Sequence, residues 1–114
     1  MDIRYFILFR NEDYAKIIEG RIKGHCRNTE SEILGIRPIE GDVFLIDAHF
    51  GGQMSQLNGL DIARRLIKFR PGVRFKVKIY SWLTREYISQ NYPDKSNILK
   101  MSNVQFNRFP VIIS

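Results

Sequence analysis

Two stretches of the chain are apolar almost without interruption. Residues Ile3–Phe9 read IRYFILF, with one basic residue, and Val43–Ile46 read VFLI. Runs of this length without alternation predict strands covered on both faces. Two later stretches behave differently. Phe75, Val77 and Ile79 alternate with Lys76, Lys78 and Tyr80. In Val104–Phe109, Val104 and Phe106 alternate with Gln105 and Asn107. Period-two alternation predicts strands with one packed face and one polar face. A helix packed over that polar face would bury charge and amide groups at a cost.

Between the strands the period changes to that of a helix. Asn11 is placed as an N-cap, Glu12 and Asp13 put acids in the first turn, and Tyr14, Ile17, Ile18 and Ile22 form one apolar face that stops near Gly24. The segment from Cys26 to Gly41 holds a short edge strand and a short helix starting at Thr29-Glu30-Ser31-Glu32, closed by Pro38 and Gly41. A longer helix is predicted over Leu57–Phe69, with Leu60, Ala63, Leu66 and Ile67 inward and Pro71-Gly72 beyond its end. A further helix covers Leu83–Asn91, YPDKSN breaks it, and a helical turn follows around Ile98–Met101. Strands alternating with helices in this order call for a parallel sheet with helices on both faces.

Composition narrows the picture. A chain of 114 residues, 44% hydrophobic and 26% charged, is expected to form one globular domain over residues 1–114. No apolar run is long enough to span a membrane, and MDIRYFILFRNED lacks the form of a signal peptide. Cys26 is the single cysteine, so no internal disulfide forms and a reducing cytoplasm is the default expectation. The net charge of +6 is concentrated in Arg64, Arg65, Lys68, Arg70, Arg74, Lys76 and Lys78. Such a cluster can attract phosphates or an acidic surface, but without a groove-reading motif a solvated helix face plus a strand rim is preferred. Nucleic-acid binding through residues 64–78 therefore ranks last among the functional expectations. His25-Cys26 and His49 lack zinc-ligand spacing, and His49 is assigned to the loop beside Asp47. The GGQ at Gly51–Gln53 lacks the flanking residues of a phosphate loop.

Chemistry in an open α/β sheet gathers at the carboxyl ends of the strands. The residues placed there are Arg10, Asn11 and Glu12, then Asp47, then Ser81, and finally Asn107 and Arg108. This set, with the stretch DVFLIDAHFGGQMSQLNGLDIARRLIKFRPGVRFKVKIYSW, resembles the receiver (CheY-like) domain of two-component response regulators. The resemblance lies in an apolar strand ending in Asp, the NGLDIARRL helix start, the RPG turn and a strand ending in Ser. It implies a flavodoxin-like three-layer sandwich with a five-stranded parallel sheet of order 2-1-3-4-5.

By the same resemblance Asp47 stands where a phosphoryl group from a histidine kinase is accepted. Glu12, Asp13 and Asp47 are the candidate Mg²⁺ ligands, and Ser81 and Arg108 the candidate phosphate-holding groups. Metal and cations are needed because a carboxylate attacks a phosphate dianion poorly unless the repulsion is offset. The chain departs from the pattern at several places. Arg10 and Asn11 occupy the acidic pair's positions, and an arginine there opposes a divalent cation. Phe109 precedes Pro110 where a lysine is expected, leaving Arg108 one residue early and on the other strand face. Trp82 replaces a small residue after Ser81, the loop after Asp47 is long, and the family's last helix has no counterpart before Ser114. That end is read either as a cut from a longer chain or as a domain built without the helix.

The expectation is thus a degenerate pseudo-receiver, not an enzyme, that signals through contact with a protein partner or a second copy. No cofactor is expected, and Mg²⁺ only if the domain is active. The alternative is a working receiver phosphorylated on Asp47. Tyr80, Trp82 and Tyr87, with Tyr92 nearby, form the expected interaction patch.

Overall fold

A computed structural model describes residues 3–112. The strands are β1 (Tyr5–Leu8), β2 (His25–Cys26), β3 (Val43–Asp47), β4 (Lys76–Ser81) and β5 (Val104–Arg108). The helices are α1 (Glu12–Ile22), α2 (Glu30–Leu34), α3 (Asn58–Lys68), α4 (Arg85–Asn91) and α5 (Pro93–Ser96). Short 3-10 turns lie at Met54–Gln56 and Asn97–Lys100. The strands form one parallel sheet of order β2-β1-β3-β4-β5, the topology of a flavodoxin-like α/β fold. The all-apolar reading of β3 holds: every residue from Val43 to Asp47 is buried.

The two faces of the sheet are covered unequally. One carries the larger core, in which Phe44, Ile46, Val77 and Ile79 pack against Ile33 of α2, Leu60, Ala63 and Leu66 of α3, Ile88 of α4 and Ile98. On the other, Ile7, Leu45 and Tyr80 pack with Ala15 and Ile18 of α1, the helix of that face among the described residues. The alternation in β4 and β5 follows from this. Val77, Ile79, Val104 and Phe106 belong to the larger core, whereas Lys76 and Gln105 are exposed on the thinly covered face.

Four expectations need correction. Ile17 is 53% exposed, and Ala15 takes its place inside, because positions 15, 18 and 22 share the stripe that faces β1 and β3. Pro93 does more than break α4: it occupies the first turn of α5, where its missing N–H costs nothing. The helix read from Leu83 starts at Arg85, since Thr84 caps it by accepting the Tyr87 N–H at 3.1 Å. Tyr80, assigned to an exposed patch, is 6% exposed. Phe9 and Phe109, from the segments after β1 and β5, close over it with ring centroids 5.8 and 5.6 Å away.

The carboxyl end of β3 is held tightly by α3. The Gly59 N–H donates to the Ala48 carbonyl at 3.1 Å. A Cβ at position 59 would lie 2.8 Å from the Asp47 carbonyl carbon and 2.9 Å from the Ala48 Cα. Only glycine permits that approach.

Candidate functional site

Asp47 closes β3 and is 4% exposed. Its Oδ2 accepts the Arg10 N–H at 3.0 Å, and its Oδ1 accepts the His49 N–H at 2.8 Å. The backbone after β1 and the backbone after β3 therefore both converge on one carboxylate. Burial pushes its carboxyl above the ordinary aspartate value, against the opposing pull of the two N–H donors and of the nearby Arg10 guanidinium. The Arg10 side chain turns across the following loop, and its Nη1 donates to the His49 carbonyl at 3.1 Å and the Gly52 carbonyl at 2.8 Å. That loop turns through Gly51 and Gly52, both at positive φ (77° and 54°).

His49 has a larger role than loop decoration. It is 3% exposed and links three segments: Nδ1 lies 3.0 Å from the Met54 carbonyl, and Nε2 lies 3.2 Å from Ser81 Oγ and accepts the Trp82 N–H at 3.1 Å. A backbone N–H can only donate, so Nε2 must present its lone pair and Nδ1 carries the proton given to Met54. Ser81 is fully buried and accepts the Leu83 N–H at 2.9 Å. The serine and histidine are close enough to suggest a nucleophile and its base. A fully buried hydroxyl already accepting a backbone N–H is instead a structural link between the ends of β3 and β4. Sequence reasoning missed His49; the one available signal was its position two residues beyond the strand-end acid, within reach of the end of β4.

The other predicted residues divide into those at the site and those away from it. Glu12 and Asp13 lie exposed in the first turn of α1, below the Asn11 cap whose Oδ1 accepts the Tyr14 N–H. Among the described residues, no three His, Cys, Asp or Glu side chains gather as a group able to hold a metal, so Glu12, Asp13 and Asp47 do not form the expected set. The reason is local: Phe9, Arg10 and Asn11 fill the segment between β1 and α1, and the acids begin only with the helix. Arg108 lies opposite Ser81 in the β4–β5 register, and its Nη2 donates to the Trp82 carbonyl at 2.8 Å. The basic cluster is split by the sheet. Arg64, Arg65 and Lys68 are exposed on α3, over the larger core, while strand alternation sends Lys76 and Lys78 to the opposite face. Burial pushes the Cys26 thiol up to about 11, so it is not a reactive thiolate at neutral pH.

Two clefts flank Trp82, which is 54% exposed and stacks on Phe109 with centroids 4.9 Å apart. The first, of roughly 370 Å³, reaches Asp47 between Arg10, Asn11, Tyr14, Trp82 and Phe109. The second, of roughly 260 Å³, lies between Trp82, Tyr87, Tyr92, Met54 and His49. Tyr87 is 47% and Met54 45% exposed, so of the expected patch Trp82 and Tyr87 stand together at the surface while Tyr80 does not. No helix among the described residues is long and apolar enough to cross a membrane. No protein-family model, curated protein or solved structure matches the chain.

Proposed function

We propose that the chain is a receiver-like signalling module that works in the cytoplasm through protein–protein contact, without phosphoryl transfer at Asp47. One observation carries this reading: among the described residues no group of His, Cys, Asp or Glu side chains able to hold a metal forms beside Asp47, whose two oxygens accept only the Arg10 and His49 N–H groups. The strand-end position of a phosphoacceptor is kept, but the helpers are replaced. An arginine follows β1 where metal-binding acids would be needed, and Ser81 is tied into the His49 link. Phosphoryl transfer to a carboxylate needs a metal held at its oxygens to offset the repulsion between carboxylate and phosphate, and a single partly exposed arginine does not replace it. The surface left for signalling is the Trp82–Tyr87 patch, in which large, partly exposed aromatics suit a contact core. Its partner is another domain of the same signalling system or a second copy of the chain.

The test is incubation with Mg²⁺ and acetyl phosphate, or with beryllofluoride, followed by intact mass and NMR. The expected result is no added mass and no shift around Asp47. An adduct that disappears in Asp47→Asn would overturn the reading and make the chain a working receiver.

A further inference from the structure

The cleft above Asp47 has a composition that protein contact does not require. It opens between the carboxyl ends of β1 and β3, adjacent strands whose chain continuations run to opposite sides of the sheet, to β2 and to β4. In open α/β sheets that crevice is where small ligands bind. Its volume of roughly 370 Å³ lies at the low end of the range for ligand sites.

We propose that this cleft binds a small planar heteroaromatic anion: a ring with an N–H edge facing Asp47, carrying a phosphate or carboxylate group held by Arg10 and Asn11. Each part of the ligand answers a feature of the wall. Each Asp47 oxygen accepts one N–H and retains capacity for another, so the floor of the cleft takes donors. Arg10 uses Nη1 on the loop carbonyls, and its Nε and Nη2 meet no acceptor among the described residues. The Asn11 cap likewise uses only its oxygen, leaving its amide nitrogen as a donor. The rim therefore takes acceptors, and a guanidinium favours phosphate or carboxylate over a neutral group. Between floor and rim, Trp82 and Phe109 supply a stacked aromatic wall that favours a flat ring. A cation would meet Arg10 at the entrance, and a purely apolar ligand would strip water from Asp47 without replacing it. A nucleoside monophosphate has this chemistry, as does an indole carboxylic acid.

The inference is independent of the signalling reading, because binding is read at Trp82 and phosphoryl transfer as mass on Asp47. The experiment is an NMR titration of the whole chain with AMP, GMP and indole-3-acetate, with adenosine and inorganic phosphate as controls. Trp82 is the sole tryptophan, so its indole N–H is an unambiguous reporter. Saturable shifts at Trp82, Arg10 and Asn11 are expected, and the phosphate and carboxylate arms distinguish the two sources. Adenosine and phosphate should each bind at least roughly tenfold more weakly than the nucleotides if the phosphate arm binds. Arg10→Gln should weaken the anion by a similar factor. Trp82→Leu, at a position 54% exposed and with an unchanged urea midpoint as its control for folding, should weaken all three ligands, read at the Arg10 and Asn11 amides. The proposal is overturned by any of three results: no saturable shift with all three ligands, binding of adenosine or phosphate as tight as AMP, or shifts confined to the Arg64–Lys78 cluster.

Discussion

Asp42 and Asp47 bracket the same strand, are 1% and 4% exposed, and live under opposite electrostatic conditions. At the amino end, the Arg4 guanidinium grips Asp42 with both forks, Nε to Oδ1 at 2.9 Å and Nη2 to Oδ2 at 2.6 Å, and the Ile39 N–H adds a third bond at 2.8 Å. Burial alone would push the Asp42 carboxyl up, but the arginine and the N–H outweigh it and hold it below the ordinary value. At the carboxyl end, Asp47 receives two backbone N–H groups and no side-chain cation, and burial wins. Asp42 is thus a completed structural ion pair, whereas Asp47 is left with unmet capacity beneath a cleft. A buried acid whose environment is incomplete is a better functional candidate than one whose partners are all in place.

The most severe way to break the comparison is Gly59→Ala. The new Cβ would press on the Asp47–Ala48 backbone and lever α3 off the carboxyl end while leaving Arg4–Asp42 intact. The expected cost is about 3 kcal/mol or more, read by urea unfolding. A wild-type midpoint would show that α3 can shift freely.

The next effect sharpens the contrast by pH. The Asp42 carboxyl is held below the ordinary value near 3.8, so its stabilisation is present above that value and lost as pH falls through the folded-state value. The Asp47 carboxyl is raised, so its contribution is complete below 3.8 and lost as pH rises through its folded-state value. Asp42→Asn should therefore cost about 2 kcal/mol near neutral pH and progressively less in acid. Asp47→Asn should cost less at neutral pH than in acid, the reverse slope. Urea midpoints for both variants and the wild type between pH 3 and 7 check this, and parallel slopes would refute it.

The smallest effect is that of Arg10→Gln, about 0.5–1 kcal/mol, because its bonds to the His49 and Gly52 carbonyls lie partly exposed at the surface. Amide hydrogen exchange should accelerate between His49 and Gln53 and stay unchanged around Asp42.

The apolar character of β1 and β3 was legible because fully covered strands need uninterrupted apolar runs, whereas the strand order was implied by the resemblance to receiver domains and not by the pattern itself. The alternation in β4 and β5 was equally legible because one face of each is thinly covered. The interior of the site was not. Tyr80 follows two lysines in the alternating pattern and looks like rim, yet it is covered by Phe9 and Phe109, residues that lie beyond the ends of their own strands. His49 sits in a loop with no periodicity, and its partners at Met54, Ser81 and Trp82 come together only when β3 and β4 pair. Local pattern reports which face a residue occupies; it does not report which distant loop closes over it.

The position of His49 also decides how the chain meets reactive reagents. Both of its ring nitrogens are committed, one as a donor to Met54 and the other as an acceptor from Trp82. Neither offers a free lone pair to an electrophile or an adventitious metal ion, and the ring is almost wholly out of solvent. Of the chain's two histidines, the exposed His25 is the one open to acylation or capture by a chelating surface. The imidazole closest to the cleft is thus the one that chemistry from outside leaves untouched.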